Sequence, residues 1–219
     1  MDFVFYRYTP FIVEVVKSKI KKDSLDERSY EKNIQYKAQT SLYELYAVRD
    51  VKIVMAGDSI TYGVSWNDLL GRSDVANRGI GGDISEGLLH RLKYIYALKP
   101  RVCFIMMGVN DLQKDMPVED VFNNYQEIIK GLIENNIIPI VQSTLYTEYP
   151  KLNTKIKRLN GLLKKYSSEN SIEYVDLNEV LASGDKLIED YTYDGVHLLG
   201  SGYDKWRQRI SIVLKKHNL

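Results

Sequence analysis

The segment Lys52-Ile53-Val54-Met55-Ala56-Gly57-Asp58-Ser59-Ile60-Thr61 joins a short apolar run to a polar turn. A short apolar run that ends at a glycine is typical of a strand buried on both faces of a parallel sheet. We therefore predict a central strand over residues 52–56, with Ser59 on the turn that follows it.

Four more apolar runs follow along the chain, and segments with apolar residues at helical spacing separate them. The predicted strands span residues 52–56, 74–78, 102–107, 137–142 and 172–175. The predicted helices span residues 84–98, 118–135, 151–168 and 201–216. Strands that alternate with helices imply right-handed crossovers, so we expect an α/β fold with three layers and a parallel sheet in the middle. A ligand site in such a fold lies beyond the carboxyl ends of the strands.

The composition excludes several classes of protein. The 219 residues are 44% hydrophobic and 27% charged, which fits one globular domain and not a disordered chain. Lys and Arg number 30 and Asp and Glu number 29, so the net charge of +1 supplies no field for holding nucleic acid. Cys103 is the single cysteine, and we expect it to be a buried small hydrophobe within its strand. Because the three histidines lie on distant segments, we expect no metal site.

The first 50 residues form an extension ahead of the main domain, which we assign to residues 51–219. Residues 23–49 have an apolar spacing that predicts a helix of modest amphipathicity. No apolar stretch reaches the roughly 18 residues of a membrane span, and no cleavage signal follows the N-terminal apolar residues. We therefore expect a cytoplasmic protein without a membrane span. We expect the extension to pack on its own domain, and packing on a second subunit of a homodimer is the alternative.

Ser59 stands where a nucleophile is useful, at the carboxyl edge of the predicted sheet. Its own N–H and the start of the next helix can face a developing negative charge. The simpler interpretation is that Ser59 caps the next helix. Its position alone does not decide between the two.

The segment Asp194-Gly195-Val196-His197 places a carboxylate three residues before an imidazole. One turn of chain can hold these side chains together, so that the carboxylate fixes the tautomer and His197 accepts a proton from a serine. The alternative is an exposed turn with an ordinary surface histidine. The other histidines are weaker candidates, because His90 is expected on the solvated side of its helix and His217 lies two residues from the C-terminus.

Two other segments that follow predicted strands can supply hydrogen-bond donors to an oxyanion. The segment Asn77-Arg78-Gly79-Ile80-Gly81-Gly82-Asp83 has glycines that permit close backbone approach, but Ile84 stands where a phosphate-binding GxGxxG would need glycine. The segment Gly108-Val109-Asn110-Asp111 can point the Asn110 amide into the same crevice. The structural alternatives are a capping box of Asp83 with Glu86, and ordinary turn chemistry for the polar residues of the second segment.

In their order and spacing the four segments resemble the four sequence blocks of the SGNH hydrolases, also called the GDSL lipase/acylhydrolase family. Residues 57–60 are similar to the first block, with Ile60 in place of its leucine. Residues 77–83, 108–111 and 194–197 are similar to the other three. The resemblance covers about residues 51–206, and the chain looks most similar to the small esterases akin to platelet-activating-factor acetylhydrolase subunits. It implies a flavodoxin-like sheet of five parallel strands in the order 2-1-3-4-5.

The resemblance also implies a role for each matching residue. Ser59 would be the nucleophile and, through its own N–H, one oxyanion donor. The Gly82 N–H and the Asn110 side chain would be the other donors. His197 would be the base and Asp194 the residue that orients it, with no metal and no cofactor taking part.

From these roles we expect a serine esterase that acts on small-molecule esters. The loops over residues 113–119 and 145–152 carry charged residues among few aliphatics and are too short to form a lid, so we expect acetyl or similarly short esters of a polar alcohol such as a sugar. Four tyrosines near the crevice either suit sugar rings or pack the loop bases: Tyr146, Tyr149, Tyr191 and Tyr193. The rivals are a lysophospholipase or acyl-thioesterase, and a carbohydrate-binding module without activity on the same scaffold.

Overall fold

The computed structural model describes residues 29–47 and 49–219. At its centre is a parallel sheet of five strands in the order β2-β1-β3-β4-β5. The strands are β1 (Ile53–Gly57), β2 (Val75–Gly79), β3 (Val102–Met106), β4 (Ile138–Gln142) and β5 (Glu173–Val175). Each predicted strand is confirmed to within one residue at either end, and the predicted strand order is also confirmed.

Helices and short turns connect these strands. The helices in the described part of the chain are α1 (Ile34–Leu45), α2 (Ser59–Tyr62), α3 (Trp66–Leu70), α4 (Ser85–His90), α5 (Lys93–Tyr96), α6 (Val109–Gln113), α7 (Val118–Glu134), α8 (Pro150–Glu169), α9 (Asn178–Leu181) and α10 (Gly200–Lys216). A small antiparallel pair, β6 (Ala182–Ser183) and β7 (Lys186–Leu187), follows α9. Within the described residues, no helix has both the length and the apolar character that crossing a bilayer requires.

The strand order explains why helices cover both faces of the sheet. The step from β1 to β2 runs in one direction and the later steps run in the other, so right-handed crossovers place α3 on one face and α4, α7 and α8 on the opposite face. The C-terminal α10 joins α3, and there Trp66 and Trp206 pack edge to face with ring centroids 4.9 Å apart. The predicted three-layer α/β/α architecture is therefore confirmed.

The helix predicted over residues 84–98 differs from the structure, because the chain divides it into α4 and α5. The division occurs at Arg91, whose completely buried guanidinium reaches back to the sheet edge and bonds to Asp83 there. His90, just before the division, is exposed as predicted, and Cys103 is buried in β3 as predicted.

Residues 29–47 contact the end of β2 and the turn after it. Tyr43 of α1 donates a hydrogen bond to the carbonyl of Gly79 at 2.9 Å, and the Arg78 guanidinium lies 4.6 Å from the centre of the Tyr43 ring. Asn33, just before α1, donates to the carbonyl of Gly81 at 2.8 Å. Our expectations for residues 1–28 lie outside the described residues, as does the expectation for residue 48.

Candidate active site

Ser59 lies at the first position of α2, on the turn that leaves the buried strand β1. The residue that caps this helix is Asp58, whose Oδ1 accepts a hydrogen bond from the N–H of Ile60 at 3.0 Å. The interpretation of Ser59 as the cap is therefore wrong, and its hydroxyl is available to another partner.

The loop before α10 holds Asp194 and His197 in one fixed arrangement. Asp194 Oδ1 accepts hydrogen bonds from the backbone N–H groups of His197 at 2.8 Å and Val196 at 3.0 Å, and Asp194 Oδ2 lies 2.7 Å from His197 Nδ1. Because a carboxylate only accepts, Nδ1 carries the proton and Nε2 remains an acceptor. Gly195 has a φ of +81°, and a Cβ there would collide with the Glu148 side chain, so this loop requires glycine.

Ser59 and His197 meet across the sheet edge although they are 138 positions apart in the chain. His197 Nε2 lies 2.8 Å from Ser59 Oγ, so Asp194, His197 and Ser59 form one continuous hydrogen-bonded chain. The ring of Tyr193 stacks on the His197 ring, with centroids 5.8 Å apart. A serine hydroxyl that is hydrogen-bonded to an oriented imidazole can be deprotonated as it attacks a carbonyl carbon.

The environment of Asp194 keeps it ionised. Partial burial raises its pKa, but hydrogen bonds from the His197 N–H, the His197 ring and the Val196 N–H outweigh burial and leave the pKa below its usual value. The carboxylate is therefore present throughout the pH range in which an imidazole gains or loses its proton.

The predicted oxyanion donors follow the carboxyl ends of β2 and β3, with Gly82 on the turn after β2 and Asn110 in the first turn of α6. The Nδ2 of Asn110 donates to the carbonyl of Asp83 at 2.9 Å, immediately after Gly82. Ile80, two residues before Gly82, donates its N–H to the carbonyl of Gly57 at 3.1 Å and so ties this turn to the end of β1. An amide has two N–H bonds, so the second one of Asn110 can serve a ligand. The carboxyl edge of the sheet thus holds all of the predicted site residues: Ser59, Gly82, Asn110, Asp194 and His197.

Asp83 is structural, as predicted, but the predicted capping box with Glu86 is wrong. The N-cap position of α4 is Ile84, and the Asp83 carboxylate pairs with Arg91 at 2.8 Å, with neither side chain exposed. Arg91 also donates to the carbonyls of Gly57 at 3.0 Å and Arg78 at 2.7 Å. One buried guanidinium therefore ties the ends of β1 and β2 to the turn that carries the proposed oxyanion glycine.

Asp111 acts on a neighbouring segment and not on its own turn, so that interpretation is also wrong. One of its oxygens accepts hydrogen bonds from the N–H of Ser85 at 2.9 Å and from the Ser85 hydroxyl at 2.5 Å. Ser85 is the first residue of α4. Asp111 thus fixes the start of α4 against the turn that carries Asn110.

Asn77 of β2 holds the end of α2 and the chain after it, a role that its sequence context does not indicate. Its side chain accepts a hydrogen bond from the N–H of Gly79 at 2.8 Å. Its amide also lies 3.1 to 3.2 Å from three carbonyl oxygens there, those of Thr61, Tyr62 and Val64. Asn77 therefore stabilises the chain that leaves the serine.

Asp58 is a completely buried carboxyl next to Ser59, and burial raises its pKa to about 7. An unfolded chain releases this proton near pH 4, so between about pH 4 and 7 the folded state holds the proton and stability falls as the pH rises. We expect Asp58→Asn, which keeps the oxygen that caps α2, to raise the free energy of unfolding at pH 8 by at least ~1 kcal/mol and to change it little at pH 4. Urea unfolding at both pH values measures this, with exposed Asp68→Asn as the control. An equal gain at both pH values would contradict the expectation.

The four tyrosines near the crevice fall into two pairs. Tyr146 and Tyr191 are half-buried and pack against the core, which is the loop-packing interpretation. Tyr193 and Tyr149 are 66% and 47% exposed, so their rings are accessible to a ligand.

A groove of about 400 Å³ opens between α6, which carries Asn110, and the start of α8. Its lining mixes apolar and charged side chains: Leu112, Gln113, Asp115, Tyr149, Lys151, Leu152 and Lys155.

Comparison with known proteins gives consistent matches. The model of the GDSL-like Lipase/Acylhydrolase family matches residues 55–205. An N-acylneuraminate cytidylyltransferase from Streptococcus agalactiae is 27% identical over 158 residues, which are 71% of this chain and 37% of that protein, so this chain spans little more than a third of that relative. Platelet-activating factor acetylhydrolase IB subunit alpha2 from Rattus norvegicus is 25% identical over 171 residues, covering 72% of this chain and 73% of that protein.

Solved structures agree with the sequence matches. A GDSL-like lipase from Bacteroides thetaiotaomicron superimposes with a TM-score of 0.75 at 27% identity, covering 83% of this chain and 98% of that one.

Proposed function

Because this chain belongs to the GDSL-like lipase/acylhydrolase family, we propose that it hydrolyses carboxylic esters with Ser59 as the nucleophile. The observation that carries the proposal is the hydrogen-bonded chain from Asp194 through His197 to Ser59, with atoms 2.7 and 2.8 Å apart. Acyl transfer needs a nucleophile and a base within this distance, and a third group that orients the base.

In the first half of the reaction, Ser59 Oγ attacks the ester carbonyl carbon while His197 Nε2 takes the hydroxyl proton. The carbonyl oxygen becomes an oxyanion, which the N–H groups of Ser59 and Gly82 and the amide of Asn110 stabilise. The bond from carbon to the alcohol oxygen then breaks, and His197 gives its proton to the leaving alkoxide. The acyl group remains on Ser59.

In the second half, water replaces the alcohol. His197 Nε2 takes a proton from the water as its oxygen attacks the acyl carbon, and the same donors hold the second oxyanion. When the bond to Ser59 Oγ breaks, His197 returns the proton to the serine and the carboxylic acid leaves. Asp194 stays ionised throughout and stabilises the imidazolium.

We expect Asn110→Ala to lower kcat by about 10²- to 10³-fold with little change in KM, because this donor acts most strongly on the transition state. Steady-state kinetics with p-nitrophenyl acetate measure both constants. Asn123→Ala, which removes an exposed amide from α7, is the control and should leave kcat unchanged. A change confined to KM would make Asn110 a substrate-binding residue instead.

We further propose that the substrate is an acetyl or similarly short ester of a polar alcohol such as a sugar. The groove near α6 is compatible with a polar substrate, since Asp115, Lys151 and Lys155 are among its lining residues. The name of one relative is also consistent with a short ester, because that protein is an acetylhydrolase subunit.

We expect kcat/KM to fall steadily from acetate through butyrate and octanoate to palmitate esters of one alcohol. Each buried methylene contributes about 0.8 kcal/mol only where water is excluded from it, and the groove near α6 is open to solvent. A panel of p-nitrophenyl esters, with detergent held constant, measures the series. A maximum at octanoate or longer would favour a lysophospholipase or acyl-thioesterase, and no turnover of any ester would contradict the proposed esterase.

A further inference from the structure

The turn Ile80–Asp83 carries the peptide group that links Gly81 to Gly82. The N–H of Asp83 donates to the carbonyl of Ile80 at 3.3 Å, which closes a β-turn, and Gly82 has a φ of +67°. A positive φ at the third residue, with the second residue outside that region, is the type II form. Types I and II differ in the direction in which the central peptide faces. The Gly81–Gly82 peptide can therefore adopt either orientation in this turn.

A contact from outside the turn holds that peptide in its observed orientation. Asn33 Nδ2 donates a hydrogen bond of 2.8 Å to the Gly81 carbonyl. The other end of the same side chain is also fixed, because Asn33 Oδ1 accepts from the N–H of Gln35 at 3.0 Å and so caps α1. Tyr43, further along α1, bonds to the Gly79 carbonyl at 2.9 Å. The Asn33 donor is therefore held in place by a helix that is anchored on the same strand end.

We propose that Asn33 is a positioning residue for the oxyanion donor at Gly82. The carbonyl of Gly81 and the N–H of Gly82 belong to one trans peptide, so they point in opposite directions. A carbonyl held toward Asn33 directs the Gly82 N–H away from Asn33. The Asn110 amide, the other proposed donor outside Ser59, bonds to the carbonyl of the next residue, Asp83. Loss of the Asn33 bond frees the turn to adopt the type I form, which turns the donor away. This inference rests on the proposed function of the Ser59 site.

Asn33 lies outside residues 55–205, the range that the family model matches. A residue before the matched domain thus bonds to the carbonyl of the peptide whose N–H is the proposed oxyanion donor. A hydrogen bond accepted by the carbonyl also polarises the peptide and makes its N–H a stronger donor. Both effects act on the charged transition state more than on the bound ester.

The test uses three variants of the full chain and p-nitrophenyl acetate. Asn33→Asp keeps the capping oxygen for Gln35 and replaces the donor by an acceptor, and Asn33→Ala removes the donor without adding charge. Ser29→Ala is the matched control, since Ser29 caps the preceding turn through a 3.2 Å bond to the N–H of Glu31 and does not contact Gly81. We expect both Asn33 variants to lower kcat by ~10-fold or more with KM within about 2-fold, and Ser29→Ala to retain wild-type kcat.

A second readout separates positioning from a general loss of structure. The rate at which a fluorophosphonate modifies Ser59 should fall in both Asn33 variants in proportion to kcat, because the phosphonyl oxygen occupies the same donor site, while their thermal unfolding midpoints stay near that of Ser29→Ala. Wild-type kcat in both Asn33 variants, or a loss matched by Ser29→Ala, would overturn the proposal. If the proposed function itself failed, Ser59→Ala would keep the turnover of the wild-type chain. That result is distinct from any effect of the Asn33 variants.

Discussion

Replacement of Ser59 by alanine is expected to lower ester turnover by at least about 10³-fold while leaving the fold intact. In the proposed mechanism the hydroxyl oxygen is the atom that bonds to the substrate, and its one hydrogen-bonding partner among the described residues is His197 Nε2, at 2.8 Å. Ser59 is half-buried and the helix cap belongs to Asp58, so removal of the hydroxyl leaves no buried group unpaired except the imidazole nitrogen. Steady-state hydrolysis of p-nitrophenyl acetate, with urea unfolding as the check on stability, measures the effect.

Ser65→Ala provides a matched control for this variant. Ser65 is the N-cap residue of α3, close to Ser59 in the chain, and its side chain makes no capping hydrogen bond. Its replacement should change neither turnover nor stability by much. Turnover within about 10-fold of wild type in Ser59→Ala would remove the serine from the mechanism, since a residual rate that high exceeds what the oxyanion donors supply alone.

The second large effect is on stability, and it concerns Arg91. Replacing Arg91 by alanine is expected to reduce the free energy of unfolding by ~3–5 kcal/mol, because the Asp83 carboxylate would remain buried without its counter-ion. The pKa of Asp83 is already raised by burial, which Arg91 opposes. The carbonyls of Gly57 and Arg78 would each lose a donor as well. Urea unfolding at pH 7 measures the loss, and Arg91→Lys, which keeps the charge but not the planar set of donors, should give a smaller one.

Arg158→Ala is the control for Arg91→Ala. Arg158 pairs with Glu119 at the surface, where the two side chains are 65% and 54% exposed. An ion pair of this kind contributes roughly 0.2–1 kcal/mol. If Arg91→Ala and the control variant reduced the free energy of unfolding equally, burial of the ion pair would not explain the contribution of Arg91.

The sheet could be predicted because three of its strands, β1, β3 and β4, are short apolar runs with polar chain on both sides. Residues 102–106 show this most clearly, since all five side chains of β3 are buried and all five are apolar. The same pattern predicts Ser59 at a strand end, and it places the Asn110 turn after β3. Strand ends and their following turns are local properties, so the sequence alone predicts them well.

The contacts that hold the site could not be predicted, because they join residues that are far apart in the chain. Asn33 and Gly81 are 48 positions apart, and Tyr43 and Gly79 are 36 apart. Asp83 and Asp111 each follow a strand in a sequence that suits local turn chemistry, yet both bond to partners on neighbouring segments. A local sequence pattern does not identify the distant residue to which a polar side chain bonds.

The position of Arg91 in the sequence indicates that its side chain is buried. It lies three residues after Leu88 and one before Leu92, so it falls on the buried side of its predicted helix. A charged residue among apolar positions of a helix face predicts a buried ion pair, because an unpaired buried charge is too costly. Asp83, eight residues earlier, was the available acidic partner.

The most direct test of the account is to react the protein with a fluorophosphonate ester and map the modified residue by mass spectrometry. The reagent bonds covalently to a serine that an adjacent base activates and whose neighbouring donors hold the phosphonyl oxygen. We expect one adduct, on Ser59, with loss of esterase activity in proportion to the adduct and no adduct in His197→Ala. An adduct on another serine that abolishes activity, or full activity in protein modified completely at Ser59, would contradict it.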